Sequence, residues 1–298
     1  MDFEKIKRSL DRISMPRYVR FVAENNGRTC DKCRCHHGKI YETTDPRRPT
    51  LPIHPNCRCK YQDIPITQES IKLQEEKQRT ASVLINKHHI SGEQAEELAE
   101  QIIIARMGHQ TLNSEKVFLL FNGRYLLSSD GEIMFDAVSG VATNMKSSTQ
   151  NFTTGKCLVE TRSFDYSYER QGLKDFGGIP TGLYYILSSE ERSFEKMKAT
   201  HITSPGGWGL FSWSLHPSKD TDTRGRSGFF IHGGRVFGSK GCIDLRDHEI
   251  LFRNYLQAEN IKKIYVAVNY PQEVIEITES REENTPNLLL DSYFYPRY

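Results

Sequence analysis

Five of the seven cysteines, Cys30, Cys33, Cys35, Cys57 and Cys59, fall within one short stretch of the chain. The surrounding residues 28–65 are rich in Pro, Cys and His and poor in large apolar side chains. So small a segment cannot bury enough surface to fold on hydrophobicity alone. Crosslinks or a metal must then hold it. Cys30-x2-Cys33 has the spacing of a metal knuckle, and His54-x2-Cys57-x-Cys59 can supply the other half. Tetrahedral zinc needs four ligands on two short turns, and the favoured set is Cys30, Cys33, His54 and Cys57, with Cys59 as the substitute. Structural zinc would supply the folding free energy that the small core lacks. A pair of disulfides is the chief competing reading and a redox switch the third. An odd number of cysteines, dense in one place, does not fit a secreted disulfide framework.

Charge divides the chain in the same way. Residues 1–60 carry 14 Lys/Arg against 7 Asp/Glu, and the remainder carries 26 against 31. A basic head thus precedes a mildly acidic body. Phe3, Ile6, Leu10 and Ile13 have helical spacing, which predicts a basic helix over residues 1–20 ended by Pro16. Two more helices are expected at 68–89 and from Gly92 to Met107. Ser91 and Gln94 form a capping-box pattern between them, and Gly108 is placed to stop the second. This pair reads as a helical spacer or hairpin, with a partner-binding helix as the alternative. No apolar run approaches the ~18 residues that a membrane span requires. The first residues, MDFEKIKRSL, lack the apolar stretch of a signal peptide, so synthesis in the cytoplasm is expected.

From Val117 the period changes to that of strands. Asn122-Gly123 and Asp130-Gly131 are hairpin signals, a helix is expected near 247–258, and KKIYVAVNY reads as a closing strand. Within this β region SGFFIHGGRVFGSKGCIDL is the most informative stretch. A strand delivers His232 to its end, Gly233 follows, and a short loop leads through Ser239 and Gly241 to Cys242. Cysteine acyl transfer needs a thiol, an imidazole to take its proton, and N–H groups facing the developing oxyanion. A glycine-rich loop of ten positions can bring the two side chains together. Each residue alone has a plainer reading, the cysteine as a small core residue and the histidine as a satisfied polar group.

The joint pattern goes further. His232-Gly233 followed by Ser239-x-Gly241-Cys242 resembles the active-site signature of the L,D-transpeptidase catalytic domain, and Ile179-Pro180-Thr181-Gly182-x-Tyr184 resembles that family's Thr-Pro-x-Gly-x-Phe loop. The resemblance covers about residues 115–272. It departs where many members carry Arg two residues after the cysteine, because this chain has Asp244. In that respect it is similar to a divergent branch of bacterial effectors delivered into competitors by a type VI or similar contractile secretion system.

The resemblance implies a peptidoglycan tetrapeptide stem as substrate. Cys242 would attack the carbonyl of the third residue and expel D-Ala. Water would then release a tripeptide (carboxypeptidase activity), or an amine would give a crosslink or exchange (transpeptidase activity). His232 would be the base, the N–H groups of Gly241 and Cys242 the oxyanion donors, and Ser239 or a backbone carbonyl near Gly233 the group that orients the imidazole. No cofactor is required for catalysis. Around this core, GGWGLFSWSLHP places Trp208 either in a cleft wall or in a buried aromatic turn. Arg224 and Arg226 either bind stem carboxylates or form a solvated turn. His216 is expected on an exposed loop and Cys157 in a structural role.

The head has its own resemblance. CDKCRCHHGKIY followed by LPIHPNCRC is similar to the C-terminal motif of phage minor head (head-morphogenesis) proteins, over about residues 28–62. That implies a loading module that engages secretion or virion machinery. A basic head could touch phosphates, but scattered basic residues on a solvated face are commoner, so nucleic acid is not the expected partner.

The expectation is therefore a mainly β catalytic domain, an L,D-transpeptidase-like sandwich or barrel with few helices, preceded by a zinc knuckle and a helical spacer. Its segments are 1–66, 67–110, 111–275 and a tail at 276–298. The functional expectation is a secreted antibacterial toxin acting in the target cell's periplasm, with a cognate immunity protein as partner and no membrane insertion. The alternative is a prophage-derived virion or packaging protein that binds cell wall or nucleic acid without catalysis.

Overall fold

Tyr18–Val22 alternates outward and inward side chains, and Val19 and Phe21 point into a small core. The computed structural model describes residues 18–23, 31–64, 68–152, 155–198, 205–234 and 237–282. The helix expected over residues 1–20 falls mostly outside them. From Tyr18 onward the chain is strand, not helix, because the period there is two and Val19 and Phe21 are needed inside. This first strand (β1) pairs antiparallel with Ile40–Glu42 (β2) and Lys60–Ile64 (β3), in the order β2-β1-β3. Phe21 meets Tyr61 edge-on at 5.6 Å, and Cys33, Tyr41, Leu51 and Ile53 complete the cluster. The short helix Asp31–Arg34 (α1) carries Cys33 into it.

Chain contacts divide the molecule into two compact units. The first comprises residues 1–120, 127–134 and 265–267. It holds this small sheet and two long helices, Gln68–His88 (α2) and Gly92–Gly108 (α3). Ser91 caps α3 by accepting the Gln94 N–H at 3.2 Å. Gly108 is the last helical residue, and His109 in extended conformation ends the helix. Helical pairing is reinforced by buried polar contacts: Lys77 Nζ lies 2.7 Å from Glu100, and Arg106 Nη2 lies 2.7 Å from Glu76.

The second unit comprises residues 121–126, 135–264 and 268–298. The strands from Leu119 onward are Leu119–Phe121 (β4), Tyr125–Ser128 (β5), Met134–Asp136 (β6), Val138–Ser139 (β7), Asn144–Phe152 (β8) and Gly155–Asp165 (β9). They continue with Gly182–Leu187 (β10), Arg192–Ser193 (β11), Phe211–Pro217 (β12), Phe229–His232 (β13), Ile243–Asp244 (β14), Lys263–Val268 (β15) and Val274–Glu282 (β16). The largest sheet has the order β6-β5-β4-β15-β10-β12-β13-β14-β7, with β11 beside β12. Its two ends, β6 and β7, are separated in sequence by Ala137 alone, so the sheet is nearly closed and barrel-like. A third sheet, β16-β9-β8, is a long antiparallel arm. The fold is thus mostly β with few helices. The 275/276 boundary falls inside β16, and of the tail only the part to Glu282 lies among the described residues.

Turn chemistry follows the sequence. Asn122 Oδ1 accepts the N–H groups of Arg124 and Tyr125, and Gly123 takes φ +93°. Gly182 opens β10 at φ +151°, where a Cβ would strike the Thr221 side chain. No helix among the described residues is long and apolar enough to cross a membrane.

Candidate functional site

Strand pairing decides which side chains share a face. Ile231 pairs with Ile243 and His232 with Asp244 in parallel register. Ser212 pairs with His232 and Ser214 with Phe230, while Arg192 pairs with Ser212. Directly paired residues point the same way, and the direction alternates along each strand. One face of β11-β12-β13-β14 therefore carries Arg192, Ser212, Ser214, Phe230, His232 and Asp244. Cys242, one step before Ile243, joins it. The opposite face carries Trp213, Leu215, Phe229, Ile231 and Ile243, all buried in the core. The apolar residues between the polar ones are what fix this orientation. A register slip of one would drive Trp213 and Ile231 out of the core.

His232 is 2% exposed and Cys242 8%. The register sets them on a diagonal of roughly 8 Å between Cα positions. His232 Nδ1 lies 2.7 Å from the Gly233 carbonyl oxygen, which fixes that nitrogen as the donor and leaves Nε2 with a lone pair. Burial pushes the imidazole down to about 4, against the Gly233 bond that raises it, so the ring is neutral at ordinary pH. Burial pushes the Cys242 thiol up to about 12; the Phe230 N–H and Arg226 oppose that, and Asp244 adds to it. The pair is a neutral thiol beside a neutral imidazole. No hydrogen bond joins them in this arrangement: Cys242 Sγ has as its partners the Phe230 N–H and, at 4.0 Å, the Gly228 carbonyl oxygen. Trp208 stacks on the imidazole at 4.7 Å and 29°, and meets Phe230 edge-on at 5.4 Å. Its place is over the imidazole, as a roof.

The loop before Cys242 is built differently from expectation. Ser239 does not touch the imidazole. Its hydroxyl donates to the Cys242 carbonyl at 2.6 Å and accepts the Gly241 N–H at 3.2 Å. The orienting group is therefore the Gly233 carbonyl, and the Gly241 N–H is already engaged as a loop bond rather than free for an oxyanion. Gly241 sits at φ +113°, and a Cβ there would collide with the Arg226 guanidinium.

Arg226 is buried and donates to four backbone carbonyls. Nη1 reaches Gln171 and Gly178 at 2.7 Å each, and Nη2 reaches Gly177 and Lys240 at 3.1 Å each. With these bonds made it is not available to a carboxylate; it fastens the 177–178 backbone to the loop before Cys242 instead. Arg224 is likewise held, over the Tyr168 ring at 3.7 Å. The Ile179–Tyr184 loop is pinned beside it. Tyr270 Oη donates to the Ile179 carbonyl at 2.7 Å, Tyr184 Oη to Pro180 at 2.9 Å, and the Ile179 N–H to Ser139 at 2.8 Å.

Two carboxyl groups were missed by the sequence reading as parts of this site. Asp244 is fully buried and accepts the N–H groups of Gly238 at 3.1 Å and Arg246 at 2.8 Å. Burial dominates and pushes it up to about 7. Alternation of Cys242, Ile243 and Asp244 was the available signal, since it puts both polar groups on one face. Glu249, at the start of the helix Glu249–Ala258, accepts the Leu210 N–H at 3.2 Å and lies against Gly209 and Gly233. Nothing in its amphipathic surroundings announced that.

The head holds a second cluster. Cys33, Cys57 and Cys59 place their sulfurs within 4.8 Å of one another, a group that could hold a metal ion. Cys33 Sγ lies 3.0 Å from His54 Nε2 and 3.8 Å from Cys57 Sγ, and His54 Nδ1 is 2.8 Å from the Pro55 carbonyl. None of Cys33, Cys57 and Cys59 is in a disulfide, so the disulfide alternative is not what the described residues adopt. For Cys57, burial raises the thiol, but the N–H groups of Cys59 and Ile53 and the neighbouring thiols outweigh it and bring it to about 7. Cys59, named as a substitute, is inside the cluster; Cys30 lies outside the described residues. Cys35 instead donates to the Lys32 carbonyl at 3.0 Å.

Comparison of the chain with protein-family models found no match, and comparison with curated proteins found none either.

Proposed function

We infer that the β region is a peptidoglycan-directed cysteine enzyme acting on tetrapeptide stems. The observation that carries this reading is that His232, paired with Asp244, and Cys242, two positions before Asp244, share one buried sheet face, with Nδ1 tied to the Gly233 carbonyl and Nε2 left as base. A substrate entering beneath Trp208 brings its carbonyl to the sulfur. Nε2 takes the thiol proton as the C–S bond forms, then returns it to the leaving amine of D-Ala. Hydrolysis or aminolysis of the thioester restores the thiol. A protonated thiol is compatible with this, because proton transfer is coupled to attack rather than completed beforehand. The Cys242 N–H is the remaining backbone donor of the expected pair for the oxyanion.

In the same reading, Cys33, His54, Cys57 and Cys59 hold structural zinc. Three soft thiols, one depressed toward neutral pH, and an imidazole whose other nitrogen is fixed by a carbonyl form a suitable donor set. The resemblance of residues 28–62 to head-morphogenesis proteins supports a loading role for the head, and with it delivery to a competitor's periplasm and an immunity protein in the producer.

The test is incubation with disaccharide-tetrapeptide and mass spectrometry. The wild type releases D-Ala, and Cys242→Ala reduces release by at least ~10³-fold. Equal turnover by both proteins would remove the assignment. Binding of cell wall without turnover by either protein would favour the packaging-protein alternative, which the buried, unionised sulfur would suit.

A further inference from the structure

The face that carries Cys242 and His232 does not end at them. Beyond β13 it continues across β12 to β11, where Glu190, Glu191, Arg192, Lys196, Ser214 and His216 line a cavity of ≈ 410 Å³. Arg192, Ser212 and His232 form one row across three strands, so Arg192 lies two strands, roughly 10 Å, from the base. Aromatic rings join the two places: the Arg192 guanidinium stands 4.9 Å over Phe230, and Phe230 meets Trp208, the roof of His232.

The charges in this cavity are not balanced pair by pair. Glu191 Oε1 is ion-paired with Arg253 Nε at 2.9 Å, and Glu190 Oε2 lies 2.6 Å from His216 Nε2, a ring that carries charge only when protonated. Arg192 and Lys196 have no carboxylate partner among the described residues. Arg192 makes only a long 3.5 Å bond to Ser214 Oγ besides its ring contact, and Lys196 is exposed. Two cations facing one concave space on the reactive side of the sheet are suited to an anion, and the planar guanidinium to a carboxylate.

We propose that Arg192 and Lys196 form the subsite for a stem carboxylate remote from the scissile bond. The proposal rests on the reading of this face as a stem-processing site. It assigns to Arg192 the role that the sequence allowed for Arg226 and Arg224, which are committed to the protein's own carbonyls and to Tyr168. Amidated peptides distinguish this carboxylate from that of the leaving D-Ala, which is three bonds from the attacked carbon. The distance from the base fits the side-chain carboxylate of the third residue, a diamino diacid, or the α-carboxylate of the second.

Three proteins decide it: wild type, Arg192→Gln with Lys196→Gln, and Cys242→Ala. Each is titrated calorimetrically with free tetrapeptide, and with tetrapeptides amidated at one or the other carboxylate. All three are also assayed for D-Ala release. The double variant should bind free tetrapeptide roughly ten- to a hundredfold more weakly, with KM raised and kcat little changed. One amidated peptide should bind wild type as weakly as free peptide binds the double variant, and so identify the carboxylate. Unchanged affinity in the double variant, while Cys242→Ala abolishes turnover, overturns the subsite alone. Turnover that survives Cys242→Ala overturns the enzymatic reading, and the affinities still judge the subsite. No binding of tetrapeptide by wild type overturns both.

Discussion

Cysteine meets histidine twice in this chain, with opposite electrostatics. Around Cys57 several thiols and backbone N–H groups converge on a partly exposed turn, and the thiol falls to about 7. Around Cys242 one thiol is buried beside an acid, and it rises to about 12. The histidines differ less: His54 Nδ1 lies 2.8 Å from the Pro55 carbonyl, and His232 Nδ1 lies 2.7 Å from that of Gly233. Each is left with Nε2. What changes the chemistry is therefore the sulfur's surroundings. A thiol lowered toward neutral pH within a group of thiols suits a cation, and a lone neutral thiol suits proton transfer coupled to bond formation.

The comparison breaks most visibly if the metal is removed. Structural zinc in small modules carries free energies of order 10–16 kcal/mol, far above what the Val19–Phe21–Tyr41 cluster can supply. Stripping the protein with a chelator, or substituting Cys57→Ser, should unfold the β2-β1-β3 sheet. The readout is loss of amide-exchange protection at Phe21 and Tyr61, together with loss of one zinc per chain. Retained protection in metal-free protein would mean that the thiols are not a folding site.

The second effect is kinetic. His232→Gln should lower D-Ala release by about 10²–10⁴-fold. In wild type the acid limb of kcat/KM should lie well below pH 6.5, because the folded imidazole is depressed to about 4 and stays neutral as pH falls through 6 and 5. A limb near 6.5 would mean a solvated ring, and the contrast between a buried and an exposed site would lose its basis.

Legibility in the sequence tracked locality. The Asn122-Gly123 turn, the Ser91 cap and both long helices were readable because neighbouring residues determine them. His232 and Cys242 were readable because a glycine-rich loop joins adjacent parallel strands, so the pairing needs only ten positions. Arg226 was not: its four acceptors come from residues 171, 177, 178 and 240, and no local pattern announces a cation serving remote carbonyls. The Cys33–Cys57–Cys59 grouping was half readable. Spacing named the candidates, but the choice of Cys59 depends on how β3 leaves the turn. Strand β1 was hidden by a basic run that mimics a helix, and only the inward pair Val19 and Phe21 gave it away.

The last effect concerns Asp244, and it sharpens the contrast by asking why the Cys242 sulfur keeps its proton. Burial raises this carboxyl from 3.8 to about 7 in the folded protein. A group raised on folding contributes stability fully below its unfolded value and loses it as pH rises through the folded one. Wild-type stability should therefore decline between about pH 4 and pH 7 from this group. Asp244→Asn cannot ionise, so that part of the slope should vanish in urea titrations at successive pH values. The amide also presents an NH₂ where one of the N–H donors of Gly238 and Arg246 now finds an oxygen, a loss of about 1 kcal/mol at acid pH. Wild type should thus be the more stable by about 1 kcal/mol near pH 4, the two curves should cross within about one pH unit, and the variant should be the more stable by pH 7, because a rise of about three pH units is worth about 4 kcal/mol. Parallel curves across that range would mean that Asp244 is ionised throughout. The field of a full negative charge would then have to be counted among the forces holding Cys242 in its protonated state.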